Sequence, residues 1–192
     1  DEGVLFSHDV VETLEPDAEW AIGAEVMLPD GALGSIATLG SDARLARVES
    51  LPAVLFEPPA RLLEAFRSPC QGLRVVAVTP LCFEKGWLPD GLDVKESGYR
   101  GRVSGLDHDV ILRAAFVPRP VHVSGWDMAA GAPKSTSRMV APGAVYFFER
   151  ADGKPFGEDD ARSLWFAAVG SRTDEGFGRV VPGVWSPGRS TP

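Results

Sequence analysis

Short apolar runs, some alternating and some continuous, are spread along this chain between turn-forming residues. Residues 44–50 alternate charged and apolar side chains, the pattern of a half-buried strand. Pro58 or Pro59 can open a helix, and Leu62, Leu63 and Phe66 give that helix one apolar face. The β-branched run at 73–78 predicts a central strand, and 110–117 and 121–123 predict two more, parted by Pro118 and Pro120. Val145, Tyr146, Phe147 and Phe148 make 143–149 the clearest strand of all. A second helix is predicted over 159–169. Glu158, Asp159 and Asp160 stand at its positive end, and Leu164, Phe166, Ala167 and Ala168 form its buried side. A last strand covers 179–185. Residues 20–28 alternate loosely, as a strand would, and run into the turn Pro29-Asp30-Gly31. Residues 34–43 read as a glycine-containing loop, and 80–105, rich in Gly, Pro and charge, read as another.

Strand, helix, strand, then strand, helix, strand is the order of an α+β, ferredoxin-like (RRM-like) split βαβ domain. Helices then cover one face of an antiparallel sheet and leave the other for a ligand or partner. The predicted division is an acidic N-terminal segment over 1–43, possible as the end of a preceding unit, and the ferredoxin-like domain over 44–192. Inserted loops are expected at 80–109 and 124–142. Such a fold hosts many RNA-binding modules but does not by itself give function.

Composition narrows the class. At 192 residues and 44% apolar content the chain can build a real core, while 21 glycines and 16 prolines imply many turns. Cys70 and Cys82 offer no disulfide framework or zinc cluster and read as small hydrophobes in a reducing cytoplasm. The runs 114–117 and 144–148 are far below the roughly 20 residues that span a bilayer, so a cytoplasmic chain with no membrane role is expected. It starts at Asp1 rather than Met, as a fragment or processed chain would.

The net charge of −8 argues against nucleic acid at first sight. Its distribution changes that. Residues 1–96 hold 7 basic against 17 acidic groups, whereas 97–192 hold 12 against 10. Only the second half is suited to meet phosphate.

The three histidines, His8, His108 and His122, lack metal-ligand spacing, and no phosphate loop, nucleophile elbow or dinucleotide fingerprint is present. No metal and no cofactor are expected. Asp107/Asp109 and Asp159/Asp160 read as loop solvation and a helix start. His122, close to Arg119, is the best general-base candidate for an RNA-cleaving site, with Arg119 and Lys134 as helpers. No second proton-transfer group is nearby in sequence, so the nuclease is the alternative reading.

Two segments carry stronger chemistry. Ser124-Gly125-Trp126-Asp127 precedes Lys134-Ser135-Thr136-Ser137-Arg138, where two cations and three hydroxyls can hold phosphate oxygens and an indole can stack on a base. A solvated loop with Trp126 in the core explains the same residues. In Arg172-Thr173-Asp174-Glu175-Gly176-Phe177-Gly178-Arg179, glycines let backbone N–H groups approach phosphate, flanked by Arg172 and Arg179. Asp174 and Glu175 repel phosphate unless they turn outward. An ordinary tight turn fits this spacing equally well.

At these residues the chain resembles the repeat-associated mysterious proteins (RAMPs), and among them the Cas5-like third subunit of the type III-B (Cmr) CRISPR effector. The likeness starts at Leu39-Gly40-Ser41-Asp42-Ala43-Arg44, where Ser41-Asp42 replaces a more usual Gly-Glu. It continues through Val78-Thr79-Pro80-Leu81-Cys82-Phe83, Gly86-Trp87-Leu88-Pro89, Ser124-Gly125-Trp126-Asp127 and Pro142-Gly143-Ala144-Val145, and closes on Glu175-Gly176-Phe177-Gly178. The resemblance implies a non-catalytic subunit that binds the 5′ handle of the guide (CRISPR) RNA in antiviral defence. It also implies two partners, the large polymerase-like effector subunit and a neighbouring backbone RAMP subunit. Carried over, Gly176, Phe177 and Gly178 match the RNA-contacting loop, Lys134 and Arg138 the basic loop, and Arg44 the arginine of the first motif. Trp126, Arg172 and Arg179 complete the expected RNA-binding set. A protein scaffold without RNA is a third, weaker reading, suggested by the acidic half and the five tryptophans.

Overall fold

The computed structural model describes Gly23 and residues 34–39, 44–52, 56–95 and 98–188. The chain forms two compact units, Asp1–Phe56 and Glu57–Pro192. The strand expected at 20–28 lies, Gly23 apart, outside the described residues.

In the first unit, strand β1 (Ile36–Leu39) pairs antiparallel with β2 (Arg44–Arg47), so the loop expected from residue 34 contains a strand. The strand at β2 is found, but Leu45 is 78% exposed, so its alternation marks a two-stranded ribbon and not a half-buried sheet strand.

The second unit is α+β. Helix α1 (Ala60–Arg67) starts after Pro59, whose carbonyl oxygen accepts the Leu62 and Leu63 N–H groups. A proline fits there because it has no N–H to strand and its fixed φ suits the entry. Leu63 and Phe66 bury the face read from the sequence.

Six strands form one antiparallel sheet: β3 (Gly72–Ala77), β4 (Leu92–Lys95), β5 (Gly98–Gly101), β6 (Val110–Phe116), β9 (Val145–Arg150) and β10 (Val180–Trp185), in the order β10-β3-β9-β6-β5-β4. Between β6 and β9 lies a separate ribbon, β7 (Val121–Asp127) paired with β8 (Ala132–Met139).

Pairing brings Leu73 beside Phe148, Val75 beside Tyr146, Leu112 beside Phe148 and Val180 beside Ala77, and all of these are buried. Phe66, Phe156, Ala161, Leu164 and the loop residues Leu81, Phe83, Leu88 and Leu106 complete this one-sided core. Each large side chain buried there contributes roughly 1.5–3 kcal/mol through lost contact with water.

The structure corrects three expectations in this unit. Residues 80–105 are not all loop, since β4 and β5 extend the sheet at its edge. Gly91 and Gly101 made this stretch look like loop, yet they serve close backbone approach: a Cβ on either would run into the other side of the hairpin base. Residues 124–142 are mostly strand rather than loop, because a two-stranded ribbon needs backbone pairing but no apolar face. Helix α2 (Glu158–Leu164) stops five residues before 169. Phe166 takes the left-handed region at φ 52° and is exposed, so it cannot belong to a buried helical side. The start of α2 is as expected: the Gly157 N–H donates to the Asp160 carboxylate at 2.9 Å, with Glu158 and Asp159 in the first turn. No helix among the described residues is long and apolar enough to cross a membrane. Cys70 is buried and Cys82 partly so, both as free thiols.

Candidate functional site

The β7–β8 ribbon is held at its tip by Asp127, whose carboxylate accepts the Ala129 and Ala130 N–H groups at 2.9 and 3.0 Å. These bonds to the ionised form lower the Asp127 pKa. Pairing sets Gly125 against Lys134, then Val123 against Ser137 and His122 against Arg138, so β8 spends one more residue than β7 between them. This bulge reverses the alternation on β8. Lys134 and Ser137 therefore share one face of the ribbon, the face that also carries buried Met139. His122, Trp126 and Arg138 lie on the other, and Trp126 is 57% exposed rather than packed in the core.

The inner face of the ribbon meets the glycine loop. Arg172, held at φ 58°, leads into a single 3₁₀ turn, Thr173–Glu175, which Gly176 closes at φ 89°. Gly176 sits in open space, so its backbone angle alone calls for glycine. Gly178, at φ 84°, is needed twice over, because a Cβ there would strike the Val169 carbonyl oxygen. Its own N–H donates to Pro80 O at 2.9 Å, and its carbonyl accepts from the Val169 N–H at 2.9 Å.

Five side chains converge here. The Arg172 guanidinium donates to both Glu175 oxygens at 2.7 and 2.8 Å and to Ser137 Oγ at 2.8 Å. It also lies 5.2 Å from the centre of the Phe177 ring. Lys134 Nζ stands 3.4 Å from Glu175 Oε2. Glu175 thus does not turn away from the cations: although exposed to solvent, it bridges two of them. The Arg172 hydrogen bonds, with Lys134 behind them, bring its pKa down to about 2, and Glu175 in turn raises that of Arg172.

Of the residues singled out in the sequence, the structure brings Lys134, Arg172, Gly176, Phe177 and Gly178 to one place. Arg179 adjoins them, but its guanidinium donates to Phe166 O at 3.0 Å and its N–H to Thr79 Oγ1 at 2.9 Å. Trp126 and Arg138 face away across the ribbon. Arg44 begins β2 in the other unit. Sequence reasoning named Ser137 among the hydroxyls of its segment but missed Glu175 as the carboxylate that joins the two cations. The signal was local, since Glu175 lies three residues after Arg172, a spacing that lets the two side chains meet on one turn.

A second cluster joins Asp107, His108 and Asp160, whose ligand atoms lie within 4.8 Å of one another and could hold a metal ion. The geometry is already used internally. His108 Nδ1 is 2.8 Å from Asp107 and 3.6 Å from Asp160, tying the loop before β6 to the start of α2. The His108 hydrogen bond lowers the Asp107 pKa.

Among known proteins, the family model described as CRISPR-associated protein (Cas_Cmr3) matches residues 1–185. No curated protein matches the chain.

Proposed function

Because the chain belongs to the Cmr3 family of CRISPR-associated proteins, subunits of the type III-B Cmr complex, we propose that it is a non-catalytic subunit that binds the 5′ handle of the guide RNA. In this reading it bridges to the large polymerase-like subunit and to a neighbouring backbone subunit, in antiviral defence. The observation that carries the proposal is the meeting of Lys134, Ser137 and Arg172 with the Gly176-Phe177-Gly178 loop around one carboxylate. Two cations arranged around an oxyanion, one of them also held by the Ser137 hydroxyl, suit a phosphate equally well. Binding exchanges the Glu175 carboxylate for a phosphate oxygen, and Phe177 supplies an aromatic surface beside it.

The fold supports the same assignment. Strands β10, β3, β9 and β6 lie side by side, all antiparallel, and α2 carries the chain from β9 past β3 to β10. This order resembles the second half of a ferredoxin-like split βαβ, the arrangement expected of the RAMP superfamily. The first half departs from the pattern: α1 precedes β3, and β4, β5 and their loops stand where its helix belongs.

The nuclease alternative loses ground on geometry. His122 faces away from Lys134, its supposed helper, and no acid–base partner is bonded to it among the described residues. Repeat RNA incubated with the unaltered chain and with His122→Ala is expected to stay intact in both. For the main reading, fluorescence anisotropy of a 5′-handle RNA should show weaker binding by Lys134→Ala, Arg172→Ala and Phe177→Ala. Unchanged affinity in all three would remove the site.

A further inference from the structure

The sheet face opposite the core carries a separate surface. Phe116 on β6 and Phe147 on β9 meet edge to face with centroids 5.9 Å apart, and Phe147 meets Trp185 of β10 at 5.3 Å. The three rings run from β10 to β6, across four of the six strands. Phe116 is 67% exposed, and Phe147 and Trp185 are each partly so. Trp185 reaches Phe147 because residue 72 is glycine: a Cβ there would run into the indole.

One cation, Arg74 on β3, stands between these rings, and a second, Arg100 on β5, stands beyond them. Arg74 is the register partner of Phe147, and its guanidinium lies over Gly183 of β10, where a Cβ would crowd it. Arg100 shares this face two strands further on, since it pairs with Ile111 and Ile111 with Glu149. Glu149 is already held by Arg113 at 2.7 and 2.9 Å. Neither Arg74 nor Arg100 has an acidic partner among the described residues. Trp185 also borders a cleft of about 550 Å³, whose lining includes Lys154, Glu149 and an Arg150 already held by Asp152.

We propose that this face is a stacking platform for single-stranded nucleic acid, with bases on Phe116, Phe147 and Trp185 and phosphates on Arg74 and Arg100. A protein-docking patch shares such rings and arginines, so the choice of occupant rests on the cations standing without acidic partners on an otherwise acidic chain. Here a free guanidinium lies beside the central ring, in a chain whose net charge is −8. Exposed rings with one unpaired cation between them and another at their edge match the alternation of base and phosphate along a single strand. The platform extends the RNA-binding reading with a second contact, yet it rests on different residues from the glycine loop.

The test uses the full chain and a fluorescein-labelled oligouridine of about 12 nucleotides, within the usual span of such grooves. Phe116→Ala, at an exposed position, should keep the melting temperature and lose about fivefold or more in affinity. Arg74→Gln should weaken binding and make the salt dependence shallower by about 0.7 in log–log slope. A 4-thiouridine version of the oligomer should cross-link to peptides containing Phe116, Phe147 or Trp185. Cross-links confined to the Lys134 and Phe177 peptides, with Phe116→Ala and Arg74→Gln binding normally, would overturn the platform and leave the loop reading standing. Platform cross-links with Lys134→Ala unchanged would do the reverse. No binding by the unaltered chain, or an effect of Phe116→Ala on self-association alone, also overturns the proposal.

Discussion

The glycine loop and the open sheet face both bring cations close to aromatic rings, but they keep those cations in different states. At the loop, Arg172 and Lys134 share Glu175, and Arg179 gives its guanidinium to a backbone carbonyl. On the sheet face, Arg74 and Arg100 have no acidic partner among the described residues, and three rings provide the area. A phosphate reaching the loop must replace a carboxylate, so its net gain is small and depends on geometry and salt. A strand on the face gains stacking and new charge contacts without displacing anything. In the proposed reading the loop gives a contact set by geometry and salt, and the face adds affinity.

The largest effect that bears on this contrast is on the loop's backbone. Gly178→Ala should cost about 2 kcal/mol or more in chemical denaturation, since left-handed strain adds to a clash with the Val169 carbonyl. Gly176→Ala carries the strain without the clash and should cost about 1 kcal/mol. Equal costs would mean that the Gly178 contact with Val169 does not hold the loop. Next comes the exchange itself. Glu175→Gln frees Arg172 and Lys134 and should tighten binding of a 5′-handle RNA by up to about fivefold, the range of an exposed ion pair. Weaker binding by this variant would show that Glu175 organises the site instead of competing for it.

Acid should reveal the same carboxylate. Glu175 titrates at about 2 in the folded chain, below its ordinary 4.5, so its contribution to stability is complete above about pH 4.5 and is lost as pH falls toward 2. The stability difference between the unaltered chain and Glu175→Gln should therefore hold steady down to about pH 4.5 and shrink below it. A difference that changes instead between pH 5 and 8 would point to another group. The smallest effect is expected at Arg138. It lies on the ribbon's outer face, so Arg138→Ala should weaken handle binding less than Lys134→Ala does in the same titration.

How far these surfaces could be read from the sequence depends on what holds each element. β3, β6, β9 and the start of α2 were legible because their side chains are sorted by burial, as Leu73, Val75, Tyr146 and Phe148 illustrate. β4–β5, β8 and the second half of β7 were not, because backbone pairing holds them and their polar, glycine-bearing sequences look like loop, whereas the start of β7 at 121–123 was read as strand. The end of α2 was overrun because Phe166 continues an apolar run while its backbone has already turned left-handed. At the site, Lys134 and the glycine loop stood out by residue type. Their meeting depends on the register of a ribbon and on one bulge, which also turns Arg138 and Trp126 away. The sheet-face rings were legible only as strand residues, since Trp185, Phe147 and Phe116 come together through strand order.

The central claim is that Lys134 and Arg172 exchange a carboxylate for guide-RNA phosphates. Its most direct test is the affinity of the full chain for a 5′-handle RNA over a series of salt concentrations, compared with the Lys134→Ala/Arg172→Ala double variant. Two lost phosphate contacts should make the log–log slope shallower by about 1.4 and weaken binding most at low salt. Identical slopes and affinities for the two proteins would contradict the account.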